Sequence, residues 1–191
     1  MRHAYTCAPA YWAHHSWLER GQPVRDERTA RAAHAFLFTR YPQLVQVALA
    51  DVPPALPIWP RPACARLCRI VAALAFAPSL RRVVAVQARA AFAAGVAPHM
   101  LREIQRHARA NTTDVNLEPT PSLFSRRDMT AAGLALTLRA AADSRYAFWW
   151  SLRLPREISE AAVNYRVCDL SAAGARELVA EARRLMEAHP C

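Results

Sequence analysis

The sequence has no lysine at all and only 4 glycines in 191 residues. Tight β-hairpins draw on glycine for positive φ, so hairpin-rich β architectures are poorly supplied. The glycines stand apart at positions 21, 95, 133 and 174, which removes the glycine-rich loops whose amides cradle phosphates. No G-x-S-x-G elbow and no H-E-x-x-H helix occurs. Long apolar runs are missing too. The most apolar stretch, Ile70 to Ala77, follows Arg66 and Arg69 and is far shorter than a membrane span. Met1 to Cys7 lacks the apolar centre of a signal peptide. The 5 cysteines (Cys7, Cys64, Cys68, Cys168 and Cys191) are odd in number and irregular in spacing. That pattern fits a reducing compartment rather than a disulfide framework. The expected location is cytoplasmic.

What is present favours helices. Hydrophobic residues make up 53% of the chain, enough for a core without staples, and charged residues only 21%. Alanine, the best helix former, fills roughly a fifth of the positions. The net charge of +10 rests wholly on arginine, and alanine, arginine and proline without lysine is the composition of a GC-rich coding sequence. The arginines are scattered, with short pairs at Arg81-Arg82, Arg126-Arg127 and Arg183-Arg184. A phosphate-tracking surface would gather them along one face. A small Arg-rich helical regulator that binds nucleic acid is therefore the alternative function; arginine contacts to an acidic protein partner are favoured over it.

Read for periodicity, the chain predicts an all-α fold of roughly seven to nine helices, in one compact domain or in two lobes. A short helix is expected around Tyr11–Arg20, and a second, capped by Asp26, through Ala32, Ala33, Phe36 and Leu37 as far as Pro42. Leu44, Val45, Val47, Ala48 and Leu49 suggest another. Val52 to Pro62 holds five prolines in eleven positions and must be extended, close to polyproline II. It divides an N-terminal helical segment (1–51) from a main helical domain (63–191), with 52–62 as a stiff connector. Serving as a ligand for an aromatic groove is its less favoured role. Leu67, Ile70, Val71 and Leu74 mark one face of a helix that Pro78 ends. Ser79 should cap a helix that Gly95 closes, and Pro98 should open one carrying Met100, Leu101, Ile104 and His107. After a polar loop, Asn111 to Ser122, Ser125 with Asp128 forms a capping box for a helix to about Ala142. Ser144 starts an aromatic helix, and Ser171 caps the last one. Ala161 to Cys168 is the closest rival for a strand.

Three constellations invite a chemical reading, and each has a plainer one. Cys64 and Cys68 lie four apart on one helix, a spacing that suits two thiolates on a metal; without further ligands they read as small buried hydrophobes. His3, Cys7, His14 and His15 form a loose group, more simply exposed polar side chains. Asp128, Glu103 and Glu118 lack a paired carboxylate or histidine and read as caps and surface charges. No catalytic, metal or cofactor site is expected.

Particular residues then carry a resemblance. Leu56-Pro-Ile-Trp-Pro60, leading into Leu67-Cys68-Arg69 and Leu80-Arg81-Arg82, resembles the middle of the SctK/YscK proteins of bacterial type III secretion systems. Ser125-Arg126, Met129, Gly133-Leu134-Ala135 and Ser151-Leu152-Arg153-Leu154-Pro155 follow in the family's order. Cys7-Ala-Pro-Ala-Tyr11 is similar to its opening with one residue inserted. The resemblance implies a helical accessory subunit of the cytoplasmic sorting platform, without enzymatic activity or cofactor. Such a subunit links an inner-membrane ring protein (the SctD-type cytoplasmic domain) to an SctQ-type pod protein, and it meets the membrane only through those partners. On that reading Arg81, Arg82, Arg126, Arg127, Arg153 and Arg156 are candidates for contact with an acidic partner. Trp149, Trp150 and Trp12 are candidates for an aromatic contact, although core packing is the commoner fate of tryptophan.

Overall fold

A computed structural model describes residues 8–19, 21–45, 59–82, 86–107, 125–141, 144–165 and 170–189, without the side chains of 79, 81, 82, 86, 88 and 144–146. The expected helix at Leu44–Leu49 beyond Val45, the proline-rich stretch before Trp59 and the polar loop 111–122 lie outside these residues. Among the described residues the fold is all-α, with ten α-helices, one short 3-10 turn and no strand. The helices are α1 (Pro9–Trp12), α2 (Glu27–Arg40), α3 (Arg61–Ala75), α4 (Ala77–Arg82), α5 (Val86–Val96), α6 (Pro98–Arg106), α7 (Arg126–Ala140), α8 (Ser144–Leu152), α9 (Arg156–Ala162) and α10 (Ala172–Ala188).

The ends of these helices follow from local chemistry. Asp26 Oδ1 accepts from Thr29 N at 2.7 Å while Thr29 Oγ1 accepts from Asp26 N at 3.2 Å, a reciprocal cap on α2. Ser125 Oγ accepts from Asp128 N at 3.0 Å at the start of α7, and Ser171 Oγ from Gly174 N at 3.0 Å at the start of α10. Each such cap stabilises its helix by about 1 kcal/mol.

The proline and glycine punctuation behaves differently. Pro78 does not end α3; the break falls at Phe76, and Pro78 stands in the first turn of α4, where a missing N–H costs nothing. Gly95 does not close α5, because the helix runs on to Val96. Its absent Cβ leaves room for Met129, whose Sδ would lie 3.1 Å from it. The chain turns at Ala97, whose φ is +85° and ψ 146°. Pro98 denies the preceding residue the helical region, and a one-residue link between two helices forces the rest. Ala161 to Tyr165, the described part of the expected strand rival, forms the end of α9 and a turn.

Helices α3 and α7 form the centre and pack on each other more extensively than any other pair. Every residue of α3 from Leu67 to Ala75 is buried, because α7 lies on one side and α10, α5 and α4 occupy others. The periodic stripe Leu67, Ile70, Val71, Leu74 was therefore only part of the buried surface. The helices approach closely at Gly133, where a Cβ would lie 1.7 Å from the carbonyl oxygen of Cys68. Only glycine fits there. Thr137, one turn on, sends its Oγ1 proton back to Gly133 O at 2.8 Å, which hides a buried hydroxyl within the helix.

The N-terminal segment is tied to the far end of the chain. His14 N donates to Leu152 O at 2.7 Å, Trp17 Nε1 to Leu154 O at 2.8 Å, and Arg156 N to Ser16 Oγ at 2.8 Å. Residues from Ala10 to Ala182 belong to one hydrophobic cluster.

Candidate functional site

The expected partner-binding residues separate into three groups. Arg126 and Arg127 are exposed in the first turn of α7, and Arg156 is exposed at the start of α9. The guanidinium of Arg156 meets Glu160 at 2.9 Å and lies over the ring of Trp17, 6.0 Å from its centre. Arg81 and Arg82 sit at the end of α4 with side chains outside the described residues. Arg153, Trp149 and Trp150 are core residues, 3%, 4% and 5% exposed, and offer no surface to a partner in this fold. Trp12 is buried with them.

The reason for that burial is the junction between the N-terminal segment and α8. Trp12 stacks obliquely on Trp149 with ring centres 5.2 Å apart, and Trp149 meets Trp150 edge-on at 5.8 Å. Arg153 lays its guanidinium over the Trp149 ring at 5.4 Å and reaches Trp12 O at 3.5 Å. It also adjoins the Cys64 thiol. The Nε of Arg153 and the indole N–H of Trp149 are buried and find no hydrogen-bond partner among the described residues. A buried arginine this poorly paired works through its stacked face and aliphatic stem.

Cys64 donates to Trp59 O at 3.7 Å, and both Cys64 and Cys68 are buried free thiols. Burial pushes the Cys64 thiol up in pKa, offset in part by the Arg153 guanidinium. Cys68 is pushed up to about 12 by burial and by Cys64 beside it. Thiols held protonated in this way are poor nucleophiles and poor ligands. His14 and His15 stack at 4.2 Å, each with Nδ1 engaged locally, by Ser16 and by Gly21 O respectively. Their supposed companions His3 and Cys7 lie outside the described residues. Among the described residues no three His, Cys, Asp or Glu side chains converge as metal ligands would.

The geometry brings forward a site that periodicity and motif reading passed over. An open cavity of about 400 Å³ lies where α3 passes the α5–α6 corner. It is lined by Arg66, Arg69, Gly95, Val96, Ala97, Pro98 and His99 with the methyls of Ala93 and Ala94. Arg69, 9% exposed, donates from Nε to Gly95 O at 2.6 Å. Burial, and then the nearby Arg126, push its guanidinium below its ordinary pKa, with an opposite pull from Cys68 and a lesser push from Arg66. Arg66 reaches across to His189 O at 3.1 Å, and His189 packs on His99 with ring centres 5.3 Å apart. The sequence did carry a signal: Arg69 interrupts an otherwise apolar run from Leu67 to Ala77, and a charge in a segment buried all round needs a counterpart.

No protein-family model matches the chain, and neither a curated protein nor a solved structure is similar to it.

Proposed function

We propose that this chain is a non-enzymatic helical adaptor of the SctK type. It would bridge the cytoplasmic domain of an inner-membrane ring protein and a pod protein at the cytoplasmic face of the inner membrane. The observation that carries the reading is spatial. Segments that resemble the family, far apart in sequence, meet in the core: Cys68 presses on Gly133, and Arg153 touches Trp12, which directly follows the Cys7–Tyr11 opening. The absence, among the described residues, of any helix long and apolar enough to cross a membrane accords with attachment through partners.

Arg126, Arg127 and Arg156 are the described arginines on which an acidic partner would rest, because they are exposed. The alternative, a nucleic-acid-binding regulator, would want a single basic stripe. Exposed arginines instead occur on seven of the ten helices (α2, α3, α5, α6, α7, α9 and α10). Affinity capture of the tagged chain from secretion-competent cells is expected to recover both the ring and the pod component. Reversing charge at Arg126 and Arg127 should reduce the recovery of one of them. Capture of neither component by the unaltered chain would overturn the adaptor reading.

A further inference from the structure

The junction between the N-terminal segment and α8 is closed but incompletely satisfied. Arg153 Nε and the Trp149 indole N–H are both donors, both buried, and neither finds an acceptor among the described residues. Arg153 Nη1 reaches Trp12 O only at 3.5 Å, the outer limit of a hydrogen bond, and the Cys64 thiol adjoins it. No carboxylate among the described residues pairs with this guanidinium. A buried guanidinium calls for a carboxylate; a neutral carbonyl and an aromatic face stand in its place.

What covers these donors is a slight element. Helix α1 has 4 residues and the 3-10 turn after it, His15–Trp17, has 3, too few to keep their shape alone. They are held by the burial of Trp12 and Trp17 and by the hydrogen bonds to Leu152, Leu154 and Arg156. Among the helices, α2 packs extensively only on α1, so it would travel with the segment rather than restrain it.

We propose that residues 8–19 are a displaceable strap, an internal stand-in for a partner's segment that carries an aromatic side chain beside a carboxylate. Such a segment would lay its ring on Trp149, as Trp12 does, and pair its carboxylate with Arg153, as Trp12 cannot. The charge-assisted pair favours the incoming segment, and the covalent tether favours the resident one. With the strap in place α8 meets no partner; with the strap displaced its tryptophans become the contact. The inference rests on the adaptor reading only for the existence of a protein partner. Its test uses synthetic peptides, so failure here leaves the capture of ring and pod components to decide that reading.

The test takes the full chain and labelled peptides with the sequence of residues 8–19, one unaltered and the others each carrying one aspartate in turn. Fluorescence anisotropy at fixed ionic strength should find an aspartate peptide that binds saturably, about tenfold or more tighter than the unaltered one. Arg153→Met keeps the aliphatic stem and should erase that advantage. Arg184→Gln, which alters an exposed arginine paired with Glu181, should keep it. Because Arg153 is buried and its loss could unfold the chain, Ser16→Ala serves as a second variant. It removes the acceptor of Arg156 N and, by loosening the strap, should tighten binding of the same peptide roughly fivefold. Hydrogen exchange of the unaltered chain should show residues 8–19 opening about tenfold or more as often as α3 and α7. Four results would each overturn the proposal: equal binding of all the peptides, an advantage that survives Arg153→Met or is lost in Arg184→Gln, unchanged affinity in Ser16→Ala, and exchange of residues 8–19 only together with α3 and α7.

Discussion

Ala97 is the residue at which this backbone is held against its preference. Its φ of +85° with ψ of 146° belongs to a region that only glycine occupies freely. Strain of this kind costs about 1–3 kcal/mol. Replacement by glycine removes it but adds conformational freedom to the unfolded chain, a loss of about 0.4–1 kcal/mol. Ala97→Gly is therefore expected to stabilise the protein by about 1 kcal/mol, seen as a rise of about 2–4 °C in melting temperature. A decrease would mean that the turn is not strained. The neighbouring glycine drew attention in the sequence because it looked like a helix stop. Gly95 is instead a contact residue, small so that Met129 and Arg69 can pass beside it. Composition cannot separate a glycine needed for its φ from one needed for its size.

At the scale of elements, the α3–α7 crossing sets the fold. With a Cβ at Gly133 only 1.7 Å from Cys68 O, alanine there would collide with backbone, which cannot swing aside as a side chain can. Gly133→Ala should push the central helices apart and destabilise the protein by about 3 kcal/mol or more. Denaturant unfolding measures this, and a loss under 1 kcal/mol would show that the pair can slide. Helix starts were legible because caps are local: Asp26, Ser125 and Ser171 each sit where the side chain bonds an amide three residues on. Helix ends were less so. Pro78 carries the same covalent restriction whether it follows one helix or begins another, and only the packing of Phe76 and Ala77 into the core decides between them. The buried arginines could not be placed from periodicity, because Arg69 and Arg153 owe their position to neighbours from distant parts of the chain, Gly95 and Trp12.

Across the whole molecule, two histidines fasten the N-terminal segment, and both act as acceptors. Ala10 N donates to His34 Nδ1 at 3.2 Å and Ser16 N to His14 Nδ1 at 3.2 Å, which a protonated ring cannot accept. Burial lowers the pKa of both; for His14 the nearby His15 and Arg61 lower it further while Glu157 opposes them. A depressed folded pKa means that the unfolded chain binds more protons, so stability rises with pH through this window. The contribution is complete above the ordinary value of 6.5 and is lost as pH falls toward the folded values. Melting temperature should accordingly drop on acidification below that value, with early changes in tryptophan fluorescence as Trp12 and Trp17 loosen. A double variant, His14→Asn with His34→Asn, should show a flatter profile. An identical slope in that variant would place the titration elsewhere.

The bond from Trp17 Nε1 to Leu154 O also has a meaning in time. It joins residues 137 apart in sequence, so no part of that junction can form until nearly the whole chain exists. On a ribosome adding about 5–20 residues per second, the tryptophans near the start wait roughly 7 to 27 seconds for α8. During that interval they are unburied and available to a chaperone, and maturation of this protein is timed by the arrival of its last third.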